Sequence, residues 1–288
     1  MSEGERVRTV REVAGLREAV ASLRADGAAV ALVPTMGALH AGHLALIAAA
    51  RAGGARVVAS IFVNPKQFGP GEDLARYPRR EAGDARMLTD AGCDLLWAPS
   101  VEAMYPQGFA TTVSVSGVAD TLDGAARPGH FDGVATVVLK LLNQVRPDRA
   151  LFGEKDWQQL QVVRRMAADL DLGIEIVGVP TQREDDGLAL SSRNIYLLND
   201  ERARAVALPR ALGIAARRIG RGDAPADALA EARETLVAAG FAVDYVTLTD
   251  AETLSADPAP AFASGRPRRL LAAARLGTTR LIDNVAVD

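Results

Sequence analysis

Two histidines three residues apart, His40 and His43, stand in a chain of 288 residues that has only three histidines. Around them runs AAVALVPTMGALHAGHLALIAAA, from Ala28 to Ala50. Imidazoles at this spacing share one helix face. There they can donate to an anion and stabilise charge building on phosphoryl oxygens. The residues before them, Thr35-Met36-Gly37-Ala38-Leu39, make a small-residue loop. A strand, a glycine-bearing loop and a helix N-terminus together favour a bound phosphate through free N–H groups and the helix dipole. The competing reading is a pair of helix-capping or buried histidines. A metal pair has less support, because no third ligand at zinc-like spacing accompanies them.

Other residues carry complementary chemistry. Lysine is scarce: Lys66, Lys140 and Lys155 are the only ones among 33 basic residues. A lysine kept where arginine is the habit offers a compact ammonium. Lys155 lies in Gly153-Glu154-Lys155-Asp156 at a strand-to-helix turn, where Asp156 can cap the helix that follows. Ser191-Ser192-Arg193-Asn194 offers hydroxyls and a forked guanidinium to an anion. Gln67 and Gln159 have amides that donate and accept at once, suited to a small substrate with hydroxyls and a carboxylate. Asp185-Asp186-Gly187 reads as a turn, and Cys93 as a packing residue rather than a nucleophile. The chain lacks Gly-x-x-x-x-Gly-Lys-Ser/Thr, Gly-x-Gly-x-x-Gly and Gly-x-Ser-x-Gly, so a P-loop, a dinucleotide fingerprint and a nucleophile elbow are excluded.

The elements that must position these residues alternate. Residues 10–26 read as a helix, Ala28–Val33 as a strand ended by Pro34, and Arg56–Val63 as a second buried strand. A long irregular loop, Asn64–Asp73, follows. Helix 81–91, strand 94–97 and a possible strand 112–115 come next, then a loop at Arg127–His130 and an apolar helix, 131–145. Strand 149–152, helix 155–170 and strand 174–179 continue the alternation. Such alternation means a parallel sheet with helices on both faces, an α/β doubly wound, Rossmann-like fold. Its ligand loops leave the carboxyl ends of the strands. From about Thr181 the texture changes. Helices 200–218 and 224–239 and strands 242–248, 269–275 and 280–282 predict a second, smaller α+β C-terminal domain. The loop between its last elements holds Pro258, Pro260, Gly265 and Pro267. The expected division is 1–183 and 184–288.

Composition narrows the class. The chain is 49% hydrophobic and 24% charged with net charge −3, ordinary globular values that argue against a dedicated nucleic-acid binder. A single cysteine excludes an internal disulfide framework and fits a reducing cytoplasm. Residues 1–27, with Glu3, Glu5, Arg6, Arg8, Arg11 and Glu12, lack a signal-peptide core, and no run reaches bilayer-spanning length.

Four stretches taken together are specific. PTMGALHAGHLALI, FVNPKQFGPGEDLARYPR, RPGHFDGVATVVLKLLNQVRPDRALFGEKDWQQL and REDDGLALSSRN, in this order, closely resemble the pantoate–β-alanine ligase (pantothenate synthetase) family. His40-Ala41-Gly42-His43 is similar to the HxGH signature of the wider nucleotidylyltransferase superfamily. The match is dense from Pro34 to Leu197 and loose beyond.

The resemblance implies a two-step ligation. ATP adenylates pantoate with release of pyrophosphate, and β-alanine then displaces AMP. It implies His43 as general acid, with His40 and Lys155 assisting. Met36, Gly37, Ala38, Leu39, His40, Ala41, Gly42 and His43 would line the ATP site. Gly153, Glu154, Lys155, Asp156, Gln182, Leu190, Ser191, Ser192 and Arg193 would complete it. Gln67, Gln159, His130 and Arg127 would hold pantoate, and Gln67 also β-alanine. Mg²⁺ on the phosphates, no confident protein metal ligand, a homodimer and a cytoplasmic location are further implications. Leu190 replaces a frequent methionine at similar volume, and the region of Gly83 and Asp84 is less acidic than in some relatives. The alternatives are an HxGH enzyme that stops at nucleotidyl transfer to a phosphorylated acceptor, and a catalytically silent nucleotide-binding protein.

Overall fold

The computed structural model describes residues 6–255 and 265–287. Glu3, Glu5, Pro258 and Pro260 lie outside the described residues. In chain order the elements are β1 (Arg8–Val10), α1 (Val13–Leu23), β2 (Val30–Thr35), α2 (Ala41–Ala52), β3 (Arg56–Ile61), α3 (Glu81–Asp90), β4 (Leu95–Trp97) and α4 (Val101–Met104). Next come α5 (Asp123–Ala126), α6 (His130–Val145), β5 (Arg149–Gly153), α7 (Trp157–Asp169) and β6 (Glu175–Val179). The chain continues with α8 (Asn199–Ala205), α9 (Ala207–Gly220), α10 (Pro225–Ala238), β7 (Ala242–Asp250), β8 (Arg268–Leu276) and β9 (Thr279–Val287).

Two units emerge. The first comprises the chain to Val115, Arg127–Glu154 and Val162–Pro180. Its sheet has the order β1-β4-β3-β2-β5-β6 with every pairing parallel. Val30, Ala31, Leu32 and Val33 are completely buried, as a strand covered on both faces must be. Ala31 and Val33 pack with Leu46, Ile47 and Ala50 of α2 and Leu88 of α3. Sequence order reverses between β2 and β5, the position where doubly wound sheets present their ligand loops. The loop leaving β2 carries residues 36–40 and runs into α2 at 41–43, and β5 ends on Gly153 with Glu154 next.

Several expectations are corrected. The segment read as a helix from residue 10 begins with strand β1, and the helix runs only from Val13 to Leu23. Strand β2 continues through Pro34 to Thr35, paired on β3. Its pairing with β5 covers only Ala31 and Leu32, so Pro34 interrupts no bond on that side. Residues 112–115 form no strand. Val113 N–H instead donates to Thr136 Oγ1 at 2.9 Å.

The second unit comprises Ser116–Ala126, Lys155–Gln161 and the chain from Thr181. An antiparallel sheet, β7-β8-β9, packs Leu248, Leu270, Ala272 and Leu281 against Leu208 and Leu212 of α9 and Leu236 of α10. The single helix expected over 200–218 is two, divided at Val206. Pro209 has no N–H for the carbonyl of Ala205, so the ladder breaks there. No helix among the described residues is long and apolar enough to cross a membrane.

Candidate active site

In the first unit the β2–α2 loop turns on two consecutive left-handed residues, Gly37 at φ 81° and Ala38 at φ 51°. Only glycine suits position 37. Besides the positive φ, a Cβ there would lie 3.0 Å from Asp84 Oδ2 and 3.1 Å from Ile61 Cγ2. Asp84, on α3 and 3% exposed, accepts from Ala38 N–H at 2.9 Å through Oδ2 and from Leu39 N–H at 2.9 Å through Oδ1. Gly37 N–H donates to Thr35 Oγ1 at 3.1 Å. These loop amides, expected to face an anion, are engaged within the chain. A phosphate there would be met by side chains and by the remaining helix-end donors.

The histidines do cap the helix. His40 is the N-cap of α2, and its Nδ1 accepts from Gly42 N–H at 3.1 Å. His43 Nδ1 accepts from His40 N–H at 3.3 Å, closing a reciprocal capping box. The rings lie 4.2 Å apart between centroids, tilted by 46°. An imidazole accepting at Nδ1 carries its proton on Nε2. In its neutral form each ring is thereby set as an Nε2–H donor while it caps the helix.

The β3 loop enters a 3₁₀ turn at Pro65–Gln67, capped by Asn64. Asn64 is buried and fully bonded: Oδ1 accepts from Tyr105 Oη–H at 2.8 Å and from Lys66 N–H at 3.3 Å. Its Nδ2 donates to Gly133 O and to Gln67 Oε1, each at 3.0 Å. The Gln67 amide is thus oriented with Nε2 toward Met36 Sδ, 3.4 Å away. Gly133 on α6 permits the approach, since a Cβ would sit 2.3 Å from Lys66 O.

Arg127 and His130 join the same group. His130 Nδ1 lies 2.8 Å from Gln67 O, and its Nε2 lies 2.9 Å from Arg127 Nη1. Arg127 donates through Nε and Nη2 to both carboxylate oxygens of Glu72, each at 2.7 Å. That fork holds the Glu72 carboxyl below the usual glutamate range. Met36, Gln67, Arg127 and His130 form one bonded network of this unit. Gly153 ends β5 and Glu154 opens a 3₁₀ turn after it.

The remaining predicted residues belong to the second unit. Lys155 and Asp156 complete that 3₁₀ turn, with Lys155 Nζ 4.0 Å from Asp156 Oδ1. Gln159 lies two residues into α7, half-buried. Its neighbour Gln158 donates through Nε2 to Val118 O at 2.9 Å and Thr121 O at 2.7 Å. Gln182 and Leu190 face each other: Leu190 N–H donates to Gln182 O at 2.9 Å, flanking an antiparallel bridge between Arg183 and Ala189. The tip is a turn at Asp185-Asp186-Gly187, as expected. Ser191 caps the 3₁₀ helix Ser192–Tyr196, accepting from Arg193 N–H at 3.2 Å.

Cys93 is buried, its thiol pushed up to about 11 by desolvation. That environment is inert, in keeping with a packing role. The roles of Asp84 as a brace of the β2–α2 loop and of Asn64 in orienting Gln67 are not apparent from the sequence; Asn64 has one signal there, a polar residue set in an apolar turn context.

A Rossmann-like parallel sheet whose strand β2 leads into a helix capped by a histidine pair defines the class, a doubly wound α/β protein. The model of the pantoate-beta-alanine ligase family matches residues 8–286. Pantothenate synthetase from Rhizorhabdus wittichii is 65% identical over 97% of this chain and 98% of its own. A crystal structure of pantothenate synthetase from Thermus thermophilus is 50% identical and superposes with a TM-score of 0.90, covering 98% of this chain and 99% of that one. Pantoate-beta-alanine ligase from Francisella tularensis, solved with beta-gamma ATP and beta-alanine, is 31% identical with a TM-score of 0.80 over 97% of both chains. The chain belongs to the pantoate-beta-alanine ligase family and is a ligase.

Proposed function

We propose that this chain joins pantoate to β-alanine at the expense of ATP through a pantoyl-adenylate intermediate. A pantoate carboxylate oxygen bonds to the α-phosphorus as the bond to the bridging oxygen breaks and pyrophosphate leaves. The β-alanine amine then bonds to the acyl carbon, the acyl–oxygen bond to AMP breaks, and the amine sheds a proton. A carboxylate is a poor acyl donor, and adenylation supplies its leaving group. Positioning and charge stabilisation suffice, so no protein nucleophile is needed.

Family membership over residues 8–286 carries this reading. The capping box supports a specific role for the histidines. His43 and His40 act as Nε2–H donors to the phosphates, stabilising charge as pyrophosphate departs, in place of proton delivery by an imidazolium. Met36–His43, Gly153–Asp156, Gln182 and Leu190–Arg193 receive ATP, with Lys155, Ser191, Ser192 and Arg193 on phosphate oxygens. The Gln67 amide, oriented by Asn64 with its carbonyl occupied, donates to pantoate and later meets β-alanine. Gln159 completes the pantoate contacts.

Arg127 and His130 act by holding the backbone of Gln67 and by fastening Glu72. No group of three His, Cys, Asp or Glu among the described residues is arranged to hold a metal ion. Mg²⁺ arrives on the ATP phosphates in this reading. A homodimer working in the cytoplasm completes the proposal. Pantoate-dependent exchange of labelled pyrophosphate into ATP, without β-alanine, tests it. Exchange is expected, and its absence at saturating pantoate would reject the adenylate route.

A further inference from the structure

The turn that carries Lys155 is gripped from the last strand of the chain. Asn284 on β9 is 3% exposed and donates through Nδ2 to the carbonyl of Lys155 at 2.9 Å. Its amide cannot be turned round, because Oδ1 accepts from Arg269 Nε at 2.7 Å. The Arg269 guanidinium in turn lies over the Trp157 ring, 3.7 Å from its centroid. Trp157 Nε1–H donates to Ala251 O at 2.8 Å. Residues 155–157 are thus held at a carbonyl, a ring face and a ring nitrogen by groups from β8, β9 and the residue after β7.

The neighbouring residue grips the other expected nucleotide segment. Asp283, 2% exposed, accepts from Arg183 Nη1 at 2.7 Å and Nη2 at 2.9 Å. Arg183 follows Gln182 and itself forms the bridge to Ala189, at the base of the hairpin that leads to Ser191. Buried polar side chains in a strand need such partners. Here both adjacent partners are segments expected to touch ATP.

We propose that Asp283 and Asn284 are positioning residues. Asn284, through the carbonyl of Lys155, and Asp283, through Arg183, fix the lysine and the Gln182–Arg193 segment at one spacing for the triphosphate. The inference rests on the reading of Lys155 as a phosphate ligand. A merely structural role for Asn284 would be served by its contact with Arg269. The substitution Asn284→Asp separates the two roles: a carboxylate keeps Arg269 as partner but presents no donor to the Lys155 carbonyl.

The test measures Asn284→Asp by ATP and pantoate dependence of pyrophosphate exchange. It also follows acylation of lysines by mass spectrometry with and without ATP-Mg²⁺. The chain has only three lysines, so Lys155 is read against Lys66 and Lys140. The expected result is a folded protein whose KM for ATP rises about 10-fold while KM for pantoate stays within about twofold. ATP protection of Lys155 should shift to correspondingly higher concentration. A folded variant with wild-type ATP dependence and wild-type protection overturns the proposal.

If Asn284→Asp does not fold, Arg269→Met, which frees the orientation of Asn284, is held to the same two criteria. Failure of both variants to fold assigns the pair a structural role and rejects positioning. The lysine readout does not require turnover. Wild-type protein lacking exchange yet showing ATP protection of Lys155 would contradict the ligase reading and leave this inference to the protection data.

Discussion

Nδ1 of His40 and Nδ1 of His43 each accept a backbone amide of their own helix end. This fixes the ring orientation at the same time as it fixes which nitrogen bears the proton. Replacing His43 by Ala removes the proposed donor to developing charge, an effect worth about 10²–10³ in rate. His43→Ala should lower pyrophosphate exchange by that factor, with the circular-dichroism spectrum retained and pantoate binding by calorimetry little changed. Near-wild-type exchange would remove His43 from the chemistry.

Glu72 offers a pH test at the same scale. Arg127 holds its folded-state pKa below that of the unfolded chain. The pair therefore contributes fully above the unfolded glutamate value of about 4.3, and the contribution is lost as pH falls through the lower folded value. Melting curves of Glu72→Gln should lie below wild type by about 1 kcal/mol at neutral pH and converge with it in acid. A constant gap down to pH 2 would exclude the linkage.

His40, His43 and Lys155 stand out in the sequence as scarce residue types, and the structure places the histidines at the start of α2 and Lys155 in the turn after β5. Asp84 does not stand out, since one acid on an exposed-looking helix carries no sign that both its oxygens close a loop more than 40 residues upstream.

Among elements, the alternation of apolar runs and helical periods revealed the parallel sheet because each buried strand reads as a continuous apolar stretch. Short or interrupted elements were hidden. Strand β1 has three residues, too few for any period to show. The break between α8 and α9 depends on one missing N–H at Pro209. The packing of α6 on the 65–67 turn depends on Gly133, whose role is visible only when the two backbones are seen together. Gly133→Ala should push the turn or the helix aside, costing about 1–3 kcal/mol by chemical denaturation. Because Gln67 rides on that turn, KM for pantoate should rise as well. An alanine variant with unchanged stability and unchanged KM would show that the approach is not required.

At the scale of the whole molecule, four separated stretches in fixed order pointed to the family more strongly than any one of them. The match over residues 8–286 agrees with that reading. Grouping of residues 116–126 and 155–161 with the C-terminal part of the chain was not legible. Its causes are pairwise contacts between distant residues. Tyr245 Oη–H donates to Asp123 Oδ1 at 2.8 Å, Arg280 Nη2 donates to the same oxygen at 2.7 Å, and Asn284 donates to Lys155 O at 2.9 Å. Neither composition nor periodicity marks such contacts.

The proposed reaction turns on activation of the pantoate carboxylate as an acyl adenylate. Pantoate labelled with ¹⁸O in its carboxylate, turned over with ATP, Mg²⁺ and β-alanine, tests it most directly by mass spectrometry of the nucleotide product. AMP carrying one ¹⁸O is expected, because the attacking oxygen stays on phosphorus when the amine takes the acyl group. Unlabelled AMP, or ADP in its place, would contradict the adenylate route.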